Sequence, residues 1–328
     1  MAYEIKGTTV ISDTGAIDSA QSKIIANSSF TLAGPATSQA QGSVSGYTSG
    51  GDAFPAVNTI DKFPFAADAN ATDVGDLTQS RGSVAGQSSS TNGYASGGWA
   101  PGASNTIDKF PFATDGNASD VGDLTQGRYS ISGQSSDISG YTSGGRTPVV
   151  NTIDKFPFAA DANATDVGDL TQARYSPSGQ SSSTSGYTSG GLAPPSVNTI
   201  DKFPFTSDAN ATDVGDLTQG RYVASGQSSG ISGYTSGGYV LPGGLVNTID
   251  KFSFAADGNA TDVGDLQNTT GLYAGAGQSS VSSGYHAGGS ALPGLTAKIV
   301  KFPFASDSNA TDVGNLTVAR YYPAGQQV

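Results

Sequence analysis

The stretch NTIDKFPFAADANATDVGDL, from Asn58 to Leu77, recurs in near-copies starting at Asn105, Asn151, Asn198 and Asn247 and, degraded, at Ala297. Successive starts lie 47, 46, 47, 49 and 50 residues apart. A period of this length matches one four-stranded sheet of a radial array and exceeds most helical solenoid repeats. Gly-Gly pairs, Pro after Phe, and short runs of Thr, Ile, Val and Tyr would break a helix within two turns but suit short strands. The sequence therefore predicts an all-β chain, a six-bladed β-propeller of four-stranded blades.

Each unit divides into four pieces, for example RYSISGQSS (Arg128 to Ser136), GYTSGG (Gly140 to Gly145), NTIDKFPFA (Asn151 to Ala159) and TDVGDLTQ (Thr165 to Gln172). The ADANA link between the third and fourth reads as a tight hairpin, because Asp and Asn hydrogen-bond their own backbone in turns. The paired Gly of GYTSGG are expected at the crowded axis, where a Cβ would clash.

The two ends of the repeat series are out of step. The first GY element, at Tyr47, has no GQSS before it, and the last GQ element, at Gly325, has no GY after it. The segment Arg320 to Val328 is thus the missing first strand of the first blade, and pairing it there closes the ring and removes an open sheet edge. The alternative is that Ala40 to Val44 supply that strand and the tail is free. Residues 1–36 stand outside the repeat, too short to bury a core alone, and residues 37–328 form the propeller.

Composition narrows the function. With 14 Phe and 14 Tyr the chain can fill a core, and with no Cys it has neither disulfides nor a thiolate. The net charge of −12 belongs to the repeat, since a unit carries a set such as Asp61, Lys62, Asp68, Asp73, Asp76 and Arg81. Such a surface repels phosphate backbones, so no nucleic-acid partner is expected. No apolar run approaches the roughly 18 residues of a membrane span, so no membrane insertion is expected.

Catalysis finds few parts. His286 is the one His, and it replaces the Thr of a GYTS element, which reads as surface variation. Arg81, Arg128, Arg174, Arg221 and Arg320 recur one per unit, which points to structure, because a single active site needs one blade to differ. No enzyme and no catalytic residue are expected. The acidic DANATDVGD segment (Asp68, Asn70, Asp73, Asp76) could offer oxygens to Ca²⁺, but it lacks the spacing, bidentate Glu and sharp-turn Gly of an EF-hand. A solvated, Asx-capped hairpin is the simpler reading; no cofactor and no metal ligand set is assigned.

The connections after Gly-Gly differ between copies in length and residue while their flanks stay fixed: DAFPAV, WAPGAS, RTPVV, LAPPSV, YVLPGGLV and SALPGLTA. In a propeller these emerge on one face together with the links between blades, and the uniform ADANA turns lie on the other. Phe54, Trp99, Arg146, Leu192, Tyr239 and Leu241 are therefore the candidate ligand-binding residues, on loops held by a rigid scaffold.

The order Leu, Arg, then G-Y-x-S-G-G, then I-D-K-F, then D-x-N-x-T is similar to the kelch repeat over about residues 40 to 328. It departs from kelch at the fourth strand, where Val74, Val121, Val167, Val214, Val263 and Val313 sit near the usual Trp. The opening MAYEIKGTTVISDTGAID resembles the start of marine and cyanobacterial phage virion proteins, and the DKFPF and DANATDVGDLT repeats resemble those of phage structural proteins. That resemblance implies a tail or capsid protein of the virion, homo-oligomeric in the particle. It would be anchored to other virion proteins through residues 1–36 and adhere to a host-surface glycan or protein through the variable face. The alternative is a secreted or surface carbohydrate-binding propeller that is not part of a virion.

Overall fold

The computed structural model describes residues 41–266, 271–291 and 293–328, together with the backbone of two strands, Tyr3–Ile5 and Thr8–Ile11. The chain divides into two compact units, Met1–Ala36 and Thr37–Val328. In the first, the two strands pair antiparallel with a bulge between Tyr3 and Glu4; the remainder of the expected anchoring segment lies outside the described residues.

The second unit holds six four-stranded antiparallel sheets, the blades of a β-propeller. Blade 1 takes its inner strand, Ala324–Gln327, from the C-terminus, and continues through Ser45–Ser49, Thr59–Pro64 and Thr72–Asp76. Blades 2 to 6 follow in sequence at 85–123, 132–169, 178–216, 225–265 and 276–315. Gly46 lies opposite Gln327 and Ser49 opposite Ala324, so the tail does close the ring. The segment that could have replaced it packs elsewhere: Gly42 bridges Ser280, and Gln41 donates from Nε2 to the Ser280 carbonyl at 3.0 Å.

The core lies between blades, where faces of adjacent sheets meet. Tyr141, Ile153 and Leu170 of blade 3 pack on Phe203 and Ala211 of blade 4, and the same set recurs around the ring. Each GY tyrosine packs on the second Phe of the next blade's third strand, as Tyr141 stacks on Phe205 with centroids 4.9 Å apart. The last contact, Tyr285 on Phe65 at 4.9 Å, runs from blade 6 to blade 1. Such pairs contribute about 0.5–1.5 kcal/mol each beyond the area they bury.

Two glycine positions explain why strands can approach so closely. A Cβ on Gly133 would sit 2.1 Å from the Gly86 carbonyl oxygen of the neighbouring inner strand, and the GQ glycines repeat this contact around the axis. The axial crowding expected for the Gly-Gly pairs therefore falls on the GQ glycines instead. The Gly-Gly pairs terminate the second strand with φ near +66° and +117° at Gly144 and Gly145, a conformation glycine adopts without steric cost.

Polar clamps tie the blades together. Arg128, fully buried, meets the buried Asp154 carboxylate at 3.0 Å, and Thr125 at the end of blade 3's predecessor donates its amide and hydroxyl to the same carboxylate. The equivalent ion pairs are Arg81–Asp108, Arg174–Asp201, Arg221–Asp250 and Arg320–Asp61. At the seam between blades 5 and 6 the same positions hold Leu272 and Val300, both buried. His286, expected at the surface, is 0 % exposed there, buried like Thr48, Ala95, Thr142, Thr188 and Thr235 at the same position of the other copies.

Candidate recognition face

The residues that link one blade to the next form a closed hydrogen-bonded ring at one mouth of the central channel. The amide of Ser130 donates to Ser83, Ser176 to Ser130, Val223 to Ser176, Ala274 to Val223, Tyr322 to Ala274, and Ser83 to Tyr322, over 2.6–3.1 Å. All six are non-glycine residues with φ between +52° and +57°. A left-handed backbone is costly for such residues and persists where its surroundings over-determine it; here each is fixed by two neighbours in the ring.

Immediately outside lies an aromatic belt. The residue after each buried Arg, or after Leu272, bridges the residue after Gly-Gly of the same blade: Tyr129 with Arg146, Tyr175 with Leu192, Tyr222 with Tyr239, Tyr273 with Ser290, Tyr321 with Asp52, and Gly82 with Trp99. The variable connections and the inter-blade links therefore share one face. Trp99 packs edge-on to Tyr129 at 4.9 Å, and Tyr239 lies 5.8 Å from Tyr222 and 6.3 Å from Tyr273. The Arg146 guanidinium sits over both Tyr129 and Tyr175, at 5.7 and 4.7 Å.

The sequence-predicted residues divide accordingly. Phe54 is 76 % exposed, and Trp99, Arg146 and Leu241 are exposed. Tyr239 is half-buried in the belt. Leu192 is 5 % exposed, a buried residue whose backbone bridges Tyr175 and Ser196. Tyr129, Tyr175, Tyr222, Tyr273 and Tyr321 were not singled out from sequence, although the recurrent Arg-Tyr pair was visible. Burial raises the phenol pKa of Tyr222 and Tyr321, and that of Tyr322 strongly, so these hydroxyls stay protonated.

The channel itself carries no ionisable side chain on its inner strands. It is a cavity of about 130 Å³ lined by Gly, Ser, Gln and small apolar residues. The hydroxyls of Ser88, Ser135, Ser181, Ser228 and Ser279 each accept the amide N–H of the preceding inner strand. That belt holds the strands in register and offers no nucleophile–base pair.

On the opposite face the acidic hairpins act as clamps. Asp68 accepts from Lys301 of the preceding blade, Asn70 accepts the Asn315 amide at 3.0 Å, and Asp73 caps the Gly75 amide at 3.1 Å. Asp68, Asn70 and Asp73 are thus turned to separate partners. Among the described residues no group of three acidic or His side chains converges.

The chain matches no protein-family model, and comparison with curated proteins finds no match.

Proposed function

We propose that this protein is a recognition module displayed on a virion, whose propeller adheres to a host-surface glycan through the face that carries Trp99, Arg146, Tyr239 and the link tyrosines. The observation that carries the reading is the contrast in how side chains are engaged. Inner strands, seams and hairpins hold one another, whereas the belt gathers aromatic rings at the surface, with Trp99, Arg146 and Leu241 exposed on connections that differ between copies. Aromatic rings with polar edges on a rigid scaffold stack on sugar rings and hydrogen-bond their hydroxyls. The virion setting rests on the resemblance of the repeats and of the N-terminal segment.

The chain enters the propeller at Gln41 and Gly42, beside the far ends of the inner strands at Ser279 and Ser280. Glycan-array binding by the intact chain should fall at least tenfold in Trp99→Ala and Tyr239→Ala. Deletion of residues 1–36 should abolish incorporation into particles while glycan binding persists. A chain that binds glycan but never co-purifies with particles would instead be a free, lectin-like propeller. Unchanged binding in both aromatic variants overturns the recognition face.

A further inference from the structure

The belt has six slots, each between the link residue of one blade and that of the next. The residue after Gly-Gly enters the slot from its own blade. In blade 3 that residue is Arg146, whose guanidinium lies between Tyr129 and Tyr175. In blade 1 it has the opposite sign, Asp52.

Among the six residues that follow Gly-Gly, Asp52 alone is acidic. Its backbone is fixed by two hydrogen bonds with Tyr321, at 2.8 and 3.1 Å. Its carboxylate lies over Gly82, where the other five blades carry Tyr, so that a Cβ on Gly82 would fall 2.4 Å from Oδ2. Among the described residues no cation and no hydrogen-bond donor meets that carboxylate, whereas the seam acids such as Asp154 meet Arg and Thr, and the hairpin-tip acids such as Asp68 meet Lys. Burial raises its pKa, which is what an unpaired, half-buried carboxylate does.

Tyr321, whose backbone pairs with that of Asp52, carries a ring that packs on Phe54 (76 % exposed) at 5.5 Å and on Tyr322 at 4.5 Å. An aromatic wall next to an unpaired anion is the arrangement that binds a cation, by the ring quadrupole and by charge. A planar guanidinium suits it better than an ammonium, since it stacks on a ring and pairs a carboxylate through two N–H groups at once. Blade 3 already holds that group in cis on the corresponding Tyr.

We propose that the slot formed by Asp52, Phe54, Tyr321 and Tyr322 is a binding site for the guanidinium of an arginine side chain on a partner protein. This rests on the reading of the aromatic face as the recognition face, and adds to it a cation-specific subsite on blade 1. An overall charge of −12 further favours encounter with a basic partner surface.

The test is titration of the full chain with N-acetyl-L-arginine amide, followed by NMR. The neutral citrulline analogue and N-acetyl-L-lysine amide serve as comparators. Saturable binding by the arginine probe is expected, at least tenfold tighter than by either comparator and weaker as salt rises. Asp52→Asn should weaken it at least tenfold. Asp52→Arg should abolish it by filling the slot from within, as Arg146 does, with a melting curve like that of the unaltered protein. Absence of saturable binding, equal binding of the citrulline or lysine probe, or binding that survives in Asp52→Arg overturns the proposal. Glycan recognition is probed at Trp99 and Tyr239, so glycan binding retained in Asp52→Asn separates failure of this subsite from failure of the face.

Discussion

Five seams of the ring are closed by a buried Arg and Asp, and one, between blades 5 and 6, by Leu272 and Val300. Both solutions occupy the same place in the same scaffold. In the charged seams, the Nε of Arg128 and its counterparts has no hydrogen-bond partner, and burial lowers the guanidinium pKa against the pull of the Asp. A buried ion pair therefore contributes little net stability, yet losing one partner is costly because the other is left charged and unpaired. The apolar seam shows that both members must change together. It also shows what accompanies the change: the Thr position becomes His286, and Gly275 stands where other blades have larger residues, a Cβ there meeting His286 Nε2 at 2.3 Å. Neither ring nitrogen of His286 has a partner.

The comparison can be broken in several ways. The harshest is deletion of 320–328, which removes both the inner strand of blade 1 and Arg320. The expected loss is about 5 kcal/mol or more, comparable to the whole stability of a domain, seen as collapse of the thermal transition. An unchanged melt would mean that closure is not what holds the ring.

Next in size is Asp154→Ala, which strands Arg128 and should cost about 3–5 kcal/mol in denaturant unfolding. Val300→Ala in the apolar seam should cost less, roughly 1–3 kcal/mol for lost packing. Equal costs would show that charge does not distinguish the seams.

Acid sharpens the contrast further. Burial lowers the His286 pKa from 6.5 to about 4, so the unfolded chain binds this proton more readily than the folded one. Stability from this residue is complete above pH 6.5 and is lost as pH falls from there toward 4, by about 3 kcal/mol in all. His286→Thr should flatten the dependence over that window, and the difference between the two proteins isolates the His. Identical pH profiles would place His286 in contact with water or a partner.

The smallest effect is the most diagnostic. Arg128→Leu with Asp154→Val copies the apolar seam into a charged one and should alter stability by no more than about 1 kcal/mol, or raise it. A loss as large as that of Asp154→Ala alone would mean that the charged seams carry strength the apolar one lacks.

The blades were legible because strand period, turn chemistry and repeat length are local properties of the chain. The out-of-step GY and GQ series even located the closing strand. The candidate recognition face was legible as a set of variable loops, but its tyrosines were not, since the Arg-Tyr pair looks like one more repeated element until Tyr129 and Arg146 are seen side by side. Leu192 belonged to the same variable loops, and only packing decided that it turns inward. His286 looked like an isolated change because Leu272, Gly275 and Val300, its companions, are spread over 29 positions of sequence.

The sequence by itself determined that the chain is all β, sixfold repeated, ring-closed and acidic by repetition. Tertiary structure alone decided which residues of neighbouring copies meet: Thr125 with Asp154, Asp68 with Lys301, Asp52 with the gap at Gly82. The reason is geometric. A side chain's conformational preference is set by its near neighbours along the chain, but its partner in a propeller lies one blade away, and only the assembled ring brings the two into contact.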